Sequence, residues 1–273
     1  MCISHKGTAY ELTGPENAPT LVLIHGIGLS RQMWNSHIPT LTEHFRVLSY
    51  DLCGHGESLL PEGALDLKAL SEQLGGLLDE LHIDRCIIIG FSLGGMINRR
   101  FAIDHPDRVS ALVILNSPHE RTPDAQKMVE ERAVATHAGG ISVTLEATLE
   151  RWFTSGFREK SPSVVAWVRE TLLANDVENF ARHRQILASG VNELIRPVPA
   201  IAVPTLVMTG ENDTGSPPDA SRAIATEIAD ARVVIVPNLK HLGILEEPEL
   251  FSREILQFLC GLLRRWETTL TGR

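Results

Sequence analysis

The sequence predicts an α/β protein: a mostly parallel central sheet flanked by helices, with a helical cap inserted into it. Three observations carry this. Short, continuously apolar runs alternate with helix-like stretches, the pattern of parallel strands covered on both faces and joined by crossover helices. The pentapeptide Gly90-Phe91-Ser92-Leu93-Gly94 stands between one such run and a helical stretch. Residues 118–196 carry helical patterns and no strand pattern, with prolines at both joints.

The elements follow in order. Ile3–His5 and Ala9–Leu12 are expected to pair as a hairpin around Gly7-Thr8 and make an antiparallel edge. Residues 20–25, 46–50, 86–90, 110–115, 205–209 and 232–236 read as buried strands. Leu67–Leu81 aligns Leu67, Leu70, Leu74, Leu77, Leu78 and Leu81 on one helical stripe. Met96–Asp104, Ala220–Ala229 and Glu249–Leu263 are further helices. Asp219 or a neighbour suits the cap of the second of these, and Pro248 the first turn of the third. Within the strandless block the helical stretches are Asp124–Thr136, Val143–Trp152, Ser163–Leu173 and Val177–Ala188. Four helices exceed what one crossover requires. The expected division is therefore a core of residues 1–117 and 197–273 and a cap of residues 118–196.

Composition narrows the function classes. The chain has 273 residues, 43% of them hydrophobic, which suits one globular core with an insertion. A net charge of −9 offers no basic excess for nucleic acid. No apolar run reaches the roughly 18 residues that span a bilayer. The first residues lack the apolar core of a signal peptide, so a cytoplasmic location and no membrane partner are expected. The four cysteines are scattered; Cys86 and Cys260 read as core, and Cys53 lies in a loop near the expected site. The eleven histidines show no metal-ligand spacing. Neither a metal nor a cofactor is expected.

The chemistry starts at the pentapeptide. A Gly-x-Ser-x-Gly between strand and helix forces so sharp a turn that the serine is strained and only small neighbours fit beside it. Ser92 is the expected nucleophile. A serine hydroxyl needs a general base, and the base needs an acid to orient it. In chain order the acid comes next: Asp213 lies a few residues beyond strand 205–209, with Glu211 the nearer, less favoured competitor. The other place for an acid, after strand 110–115, holds Asn116-Ser117. The base is His241, in the loop beyond strand 232–236. Acyl transfer also needs two amides for the developing oxyanion. The amide of Leu93 is one, and that of Ile27, in His25-Gly26-Ile27-Gly28 after strand 20–25, is the other.

With these residues placed, the chain resembles the α/β-hydrolase superfamily. The likeness rests on His25-Gly26-x-Gly28, on Tyr50-Asp51-Leu52-Cys53-Gly54-His55-Gly56-Glu57-Ser58, on Gly90–Gly95 and on His105-Pro106-Asp107-Arg108-Val109. Arg151-Trp152-Phe153-Thr154 and Leu93-Gly94-Gly95-Met96-Ile97 are similar to stretches of the 3-oxoadipate enol-lactonase group, which opens small lactones bearing a carboxylate. The resemblance implies a serine hydrolase that cleaves a small ester or lactone through an acyl-enzyme, its partners a small acyl molecule and water. Dehalogenases and epoxide hydrolases, which share the likeness, carry an aspartate where Ser92 stands. Two alternatives stay open: hydrolysis of a carbon–carbon bond in a vinylogous diketone by the same triad, and a ligand receptor with little turnover. His25, Trp34, Phe91, Trp152 and Phe153 are candidate substrate contacts, although each of the four aromatic residues equally suits the core and His25 reads more readily as a brace for its loop. Arg182, His183 and Arg184 offer cations to a substrate carboxylate, or else form a solvated helix face. The sequence leaves a homo-oligomer open.

Overall fold

The computed structural model describes residues 1–60 and 63–271. Eight strands form one sheet: β1 (Cys2–Ile3), β2 (Ala9–Thr13), β3 (Thr20–Ile24), β4 (Arg46–Tyr50), β5 (Cys86–Phe91), β6 (Val109–Leu115), β7 (Thr205–Gly210) and β8 (Ala231–Val236). Their order is β1-β2-β4-β3-β5-β6-β7-β8. β2 pairs antiparallel with β1 and β4, and every other pairing is parallel. The expected fold class is the one observed. The continuous apolar runs belong to the middle of the sheet, where both faces are covered. Ile87, Ile88 and Ile89 of β5 are all buried, and each contributes at most about 2–3 kcal/mol from burial.

The helices are α1 (Ile38–Leu41), α2 (Leu67–Glu80), α3 (Leu93–Asp104), α4 (Pro123–Gly139), α5 (Ser142–Trp152), α6 (Ser155–Lys160), α7 (Pro162–Leu173), α8 (Val177–Ser189), α9 (Pro218–Thr226), α10 (Gly243–Glu246) and α11 (Pro248–Thr271). Asp66 caps α2 by accepting from the Ala69 amide at 2.7 Å. Helices α4 to α8 all lie between β6 and β7, strands that are neighbours in the sheet. None of the helices among the described residues is long and apolar enough to cross a membrane.

Several expectations are corrected. The first hairpin pairs Cys2–Ile3, not Ile3–His5, with β2, because Ser4 turns the chain: its Oγ accepts from the Thr8 amide and its own amide donates to Thr8 O, both at 2.9 Å. α3 begins at Leu93 rather than Met96: Ser92 is itself the cap, and Gly94-Gly95 hide the first turn from a propensity reading. α9 runs from Pro218 to Thr226, and Pro217 precedes it with no side-chain cap; Asp219 sits inside the first turn, bonded to Arg222. Pro248 does open the last helix. α6 was not legible in the sequence; Thr154 caps it by accepting from the Phe157 amide at 3.3 Å.

Candidate active site

The sheet brings the ends of β3, β5, β7 and β8 to one edge, and each supplies a part of the site. Ser92 follows β5 with φ 54° and ψ −110°, a left-handed backbone that costs a residue with a side chain of order 1–3 kcal/mol. The flanking glycines make the turn possible. A Cβ on Gly90 would overlap the Gly94 carbonyl, and one on Gly94 would overlap the Ile24 carbonyl. The Ser92 amide donates to Leu115 O at 2.8 Å, so β6 holds the strained residue in place.

His241, in the loop after β8, places Nε2 3.1 Å from Ser92 Oγ and Nδ1 2.7 Å from Asp213 Oδ2. Its ring lies between Phe91, with centroids 5.0 Å apart, and Trp152, at 5.7 Å. Asp213 follows β7, and every lone pair of its carboxylate has a donor. Oδ1 accepts from the amides of Gly215 (2.8 Å) and Ser216 (3.0 Å). Oδ2 accepts from Asn116 Nδ2 at 2.9 Å as well as from His241. Burial works to raise the Asp213 pKa, but the His241 charge and the bonds from His241, Asn116 and Ser216 outweigh it and hold the carboxyl below its ordinary value. Glu211, the competitor in sequence, is exposed and accepts from the Asn238 amide. Asn116 occupies the position after β6 where the sequence offered no acid, and its role there was not foreseen.

The loop after β3 holds the second expected oxyanion donor. Neither the Ile27 nor the Leu93 amide has an acceptor among the described residues, and Ile27 lines the same cavity as Ser92. Two histidines tie this loop to the one after β4. His25 Nε2 accepts from the Leu52 amide, while Nδ1 bonds Gly26 O at 2.7 Å. His55 Nε2 accepts from the Gly28 amide at 2.9 Å. Burial lowers the pKa of both, and the bonds require the neutral rings that burial favours. Asp51 fixes the same region, accepting from the Arg31 amide at 2.7 Å and pairing with the Arg31 guanidinium. The motif Asp51–Ser58 is thus a scaffold for the loop after β3, and His55 is a part of it that sequence reading missed.

A cavity of about 60 Å³ lies over this constellation. Ser92, His241 and Ile27 line its floor, and Arg132, Arg151 and Arg184 line its roof from α4, α5 and α8. Arg121 lines it too, but donates to Leu187 O and Ala188 O at the end of α8. Burial lowers Arg121, Arg151 and Arg184 to about 10, with neighbouring guanidiniums adding to the effect at Arg151 and Arg184.

Of the five expected substrate contacts, Trp152 lines the cavity and four do not. His25 braces its loop with both ring nitrogens engaged. Trp34 is buried edge-on against His37, Phe153 stacks on Phe157, and Phe91 backs the His241 ring. These aromatic residues belong to the core, where their apolar area is spent against protein. The basic stretch also divides: Arg182 donates to Gly63 O at the surface, His183 is buried edge-on against His55, and Arg184 alone faces the cavity. Cys53 is buried outside the cavity with its thiol pushed up to about 11 by burial. Among the described residues no cluster of histidine, cysteine and carboxylate side chains is arranged to hold a metal ion.

A family model described as alpha/beta hydrolase fold matches residues 19–248. The chain is 26% identical over 247 residues to 3-oxoadipate enol-lactonase 2 of Acinetobacter baylyi, covering 90% of each. The crystal structure of the enol-lactonase from Burkholderia xenovorans superposes with a TM-score of 0.86 at 32% identity, over 93% of this chain and 96% of that one. A thermophilic esterase from Thermogutta terrifontis, solved with malate bound, superposes with a TM-score of 0.84 at 28% identity, over 93% of each chain.

Proposed function

The chain belongs to the alpha/beta hydrolase fold family as an enzyme of the esterase and lactonase type, and we propose that it opens a small ester or lactone through an acyl-enzyme on Ser92. The observation that carries this is the relay Ser92 Oγ, His241 and Asp213, at 3.1 Å and 2.7 Å, built on a strained serine. His241 Nε2 takes the hydroxyl proton as Ser92 Oγ attacks the carbonyl carbon. The carbonyl oxygen becomes an alkoxide held by the Ile27 and Leu93 amides; a lost donor costs about 3–4 kcal/mol of barrier. Collapse breaks the bond to the alcohol oxygen, which takes the proton from His241. In a lactone that oxygen stays tethered to the acyl group.

Water then repeats the sequence. His241 takes its proton, the hydroxide adds to the acyl carbon, and collapse returns the proton to Ser92 and frees the acid. Asp213 keeps the proton on Nδ1 and stabilises the imidazolium that forms twice per turnover. Residues 118–196 act as a cap over a core of residues 1–117 and 197–273, closing the cavity and selecting the acyl group. The names of the enol-lactonase relatives and the guanidinium of Arg184 in the roof support a substrate that bears a carboxylate.

Turnover of short p-nitrophenyl esters and of small lactones by Ser92→Ala and His241→Ala tests the assignment. Both variants are expected to lose at least about 1,000-fold in kcat. Either one retaining a tenth of the native rate overturns it.

A further inference from the structure

Arg132, Arg151 and Arg184 come from three different helices and meet at one cavity. Among the described residues none of the three pairs with a carboxylate, whereas Arg31, Arg100 and Arg169 elsewhere all do. Among the described residues the one acid that lines the cavity is Asp213, which is engaged by His241. Arg184 is 8% exposed, and its Nε is buried without an acceptor among the described residues. This concentration of positive charge occurs in a chain of net charge −9, so it is not a by-product of composition.

Guanidiniums that are half to fully buried and crowd one another raise the free energy of the empty site. A ligand that brings the counter-charge relieves it. One carboxylate has two oxygens, which one or two guanidiniums satisfy in bidentate fashion. A monoanion therefore leaves most of the cluster's charge unpaired, and a neutral ester leaves all of it. We propose that the acyl substrate is a dianion, carrying two carboxylates that Arg132, Arg151 and Arg184 hold while the scissile carbonyl lies at Ser92. This rests on the hydrolytic reading above for the reaction, and on the roof alone for the charge. Arg132 and Arg151 also line an outer groove of about 400 Å³ with Lys240 and Glu150, and Arg132 a second of about 560 Å³ with Arg121, Glu120 and Asp219. The outer grooves are thus of mixed charge, and the uncompensated cations are those that face the cavity over Ser92.

Three methyl esters of one skeleton give the test: trimethyl, dimethyl and monomethyl tricarballylate, with no, one and two free carboxylates. The expected kcat/KM rises with each charge, by about tenfold or more for the second carboxylate alone. In Arg132→Gln, Arg151→Gln and Arg184→Gln the ratio of dianionic to neutral ester falls by roughly 30-fold or more. Arg184→Lys restores part of it. The ratio within one preparation is insensitive to the fraction folded. Equal rates for one and two carboxylates, or a ratio that the Arg→Gln variants leave unmoved, overturn the proposal.

Calorimetry of Ser92→Ala with succinate and butyrate separates the two readings. Succinate binding at least about tenfold tighter than butyrate, and lost in Ser92→Ala/Arg184→Gln, supports the anion site whatever Ser92 does. Equal binding of the two overturns it even where Ser92→Ala abolishes turnover.

Discussion

Replacing Asp213 by Asn changes one oxygen to an amide nitrogen, and the surroundings dictate which one. The side-chain oxygen is drawn to the Oδ1 position, where the Gly215 and Ser216 amides both donate. The nitrogen is left at the Oδ2 position, facing two donors, Asn116 Nδ2 and His241 Nδ1–H. Relief comes if His241 moves its proton to Nε2, so that Nδ1 accepts from the new amide. In that tautomer Nε2 cannot take the Ser92 proton, and the carboxylate charge that stabilised the imidazolium is gone. In a serine triad this error costs about 10,000-fold in kcat, or about 5 kcal/mol of barrier. The Gly215 and Ser216 bonds survive, so the melting temperature should stay within about 5 °C of native. Steady-state hydrolysis of p-nitrophenyl acetate, with a circular dichroism melt as control, measures both. A folded Asp213→Asn protein that retains more than a tenth of native kcat refutes the tautomer argument.

Further outcomes follow from burial. Burial lowers His37 and His183 to about 4, so each stays neutral in the folded protein where the unfolded chain has titrated near pH 6.5. The unfolded state then binds more protons below pH 6.5, and stability falls with pH by about 2 kcal/mol per histidine between pH 7 and pH 5. Urea unfolding at the two pH values measures this, and a His183→Asn protein with an undiminished pH dependence would falsify the assignment for that residue. Cys53 and Cys86 are buried with thiols pushed up to about 11 and about 12. Both should resist iodoacetamide at pH 8 while exposed Cys2 reacts, and rapid native-state labelling of Cys53, read by peptide mass mapping, would contradict that. Gly90→Ala should cost more than about 3 kcal/mol or prevent folding, because its methyl group meets the Gly94 carbonyl rather than a movable side chain. A soluble variant with native stability and rate would show that the elbow is looser than its geometry.

The sheet and the relay were legible because each leaves a local mark. Buried parallel strands must be apolar at successive positions, as in Cys86–Ile89, and a backbone held at φ 54° beside Ile24 and Gly94 demands the spacing of Gly90, Ser92 and Gly94. Asp213 and His241 could be found because the fold fixes which strand each must follow. The supporting residues left no such mark. Asn116 follows its strand like any loop asparagine, and only the 2.9 Å bond to Asp213 gives it a role. His55 lay in a motif that pointed to the family and not to its own bond with the Gly28 amide. The aromatic residues carried two readings for a related reason. Trp34 and Phe153 are large enough to fill either a pocket wall or a core, and the sequence has no term that separates the two.

The roof is the extreme case. Arg132, Arg151 and Arg184 sit 19 and 33 positions apart, on helices whose mutual packing is set by apolar residues such as Leu145, Leu149, Phe180 and Ile186. Arg184 stood out only as part of a basic stretch with two readings, and no backbone constraint requires arginine at any of the three, so no periodicity or spacing announces Arg132 and Arg151 or brings the three together. Their placement is readable only as an electrostatic excess, after the helices have been laid across the cavity. That difference follows from what each part must do. The elbow and relay must hold atoms within tenths of an ångström, which forces particular residues at particular backbone conformations. The proposed anion site needs only net charge near a flexible ligand, which long guanidinium side chains supply from many starting points. A close relative could therefore keep Ser92, Asp213 and His241 unchanged and relocate its cations among α4, α5 and α8, changing its acyl group without disturbing the reaction.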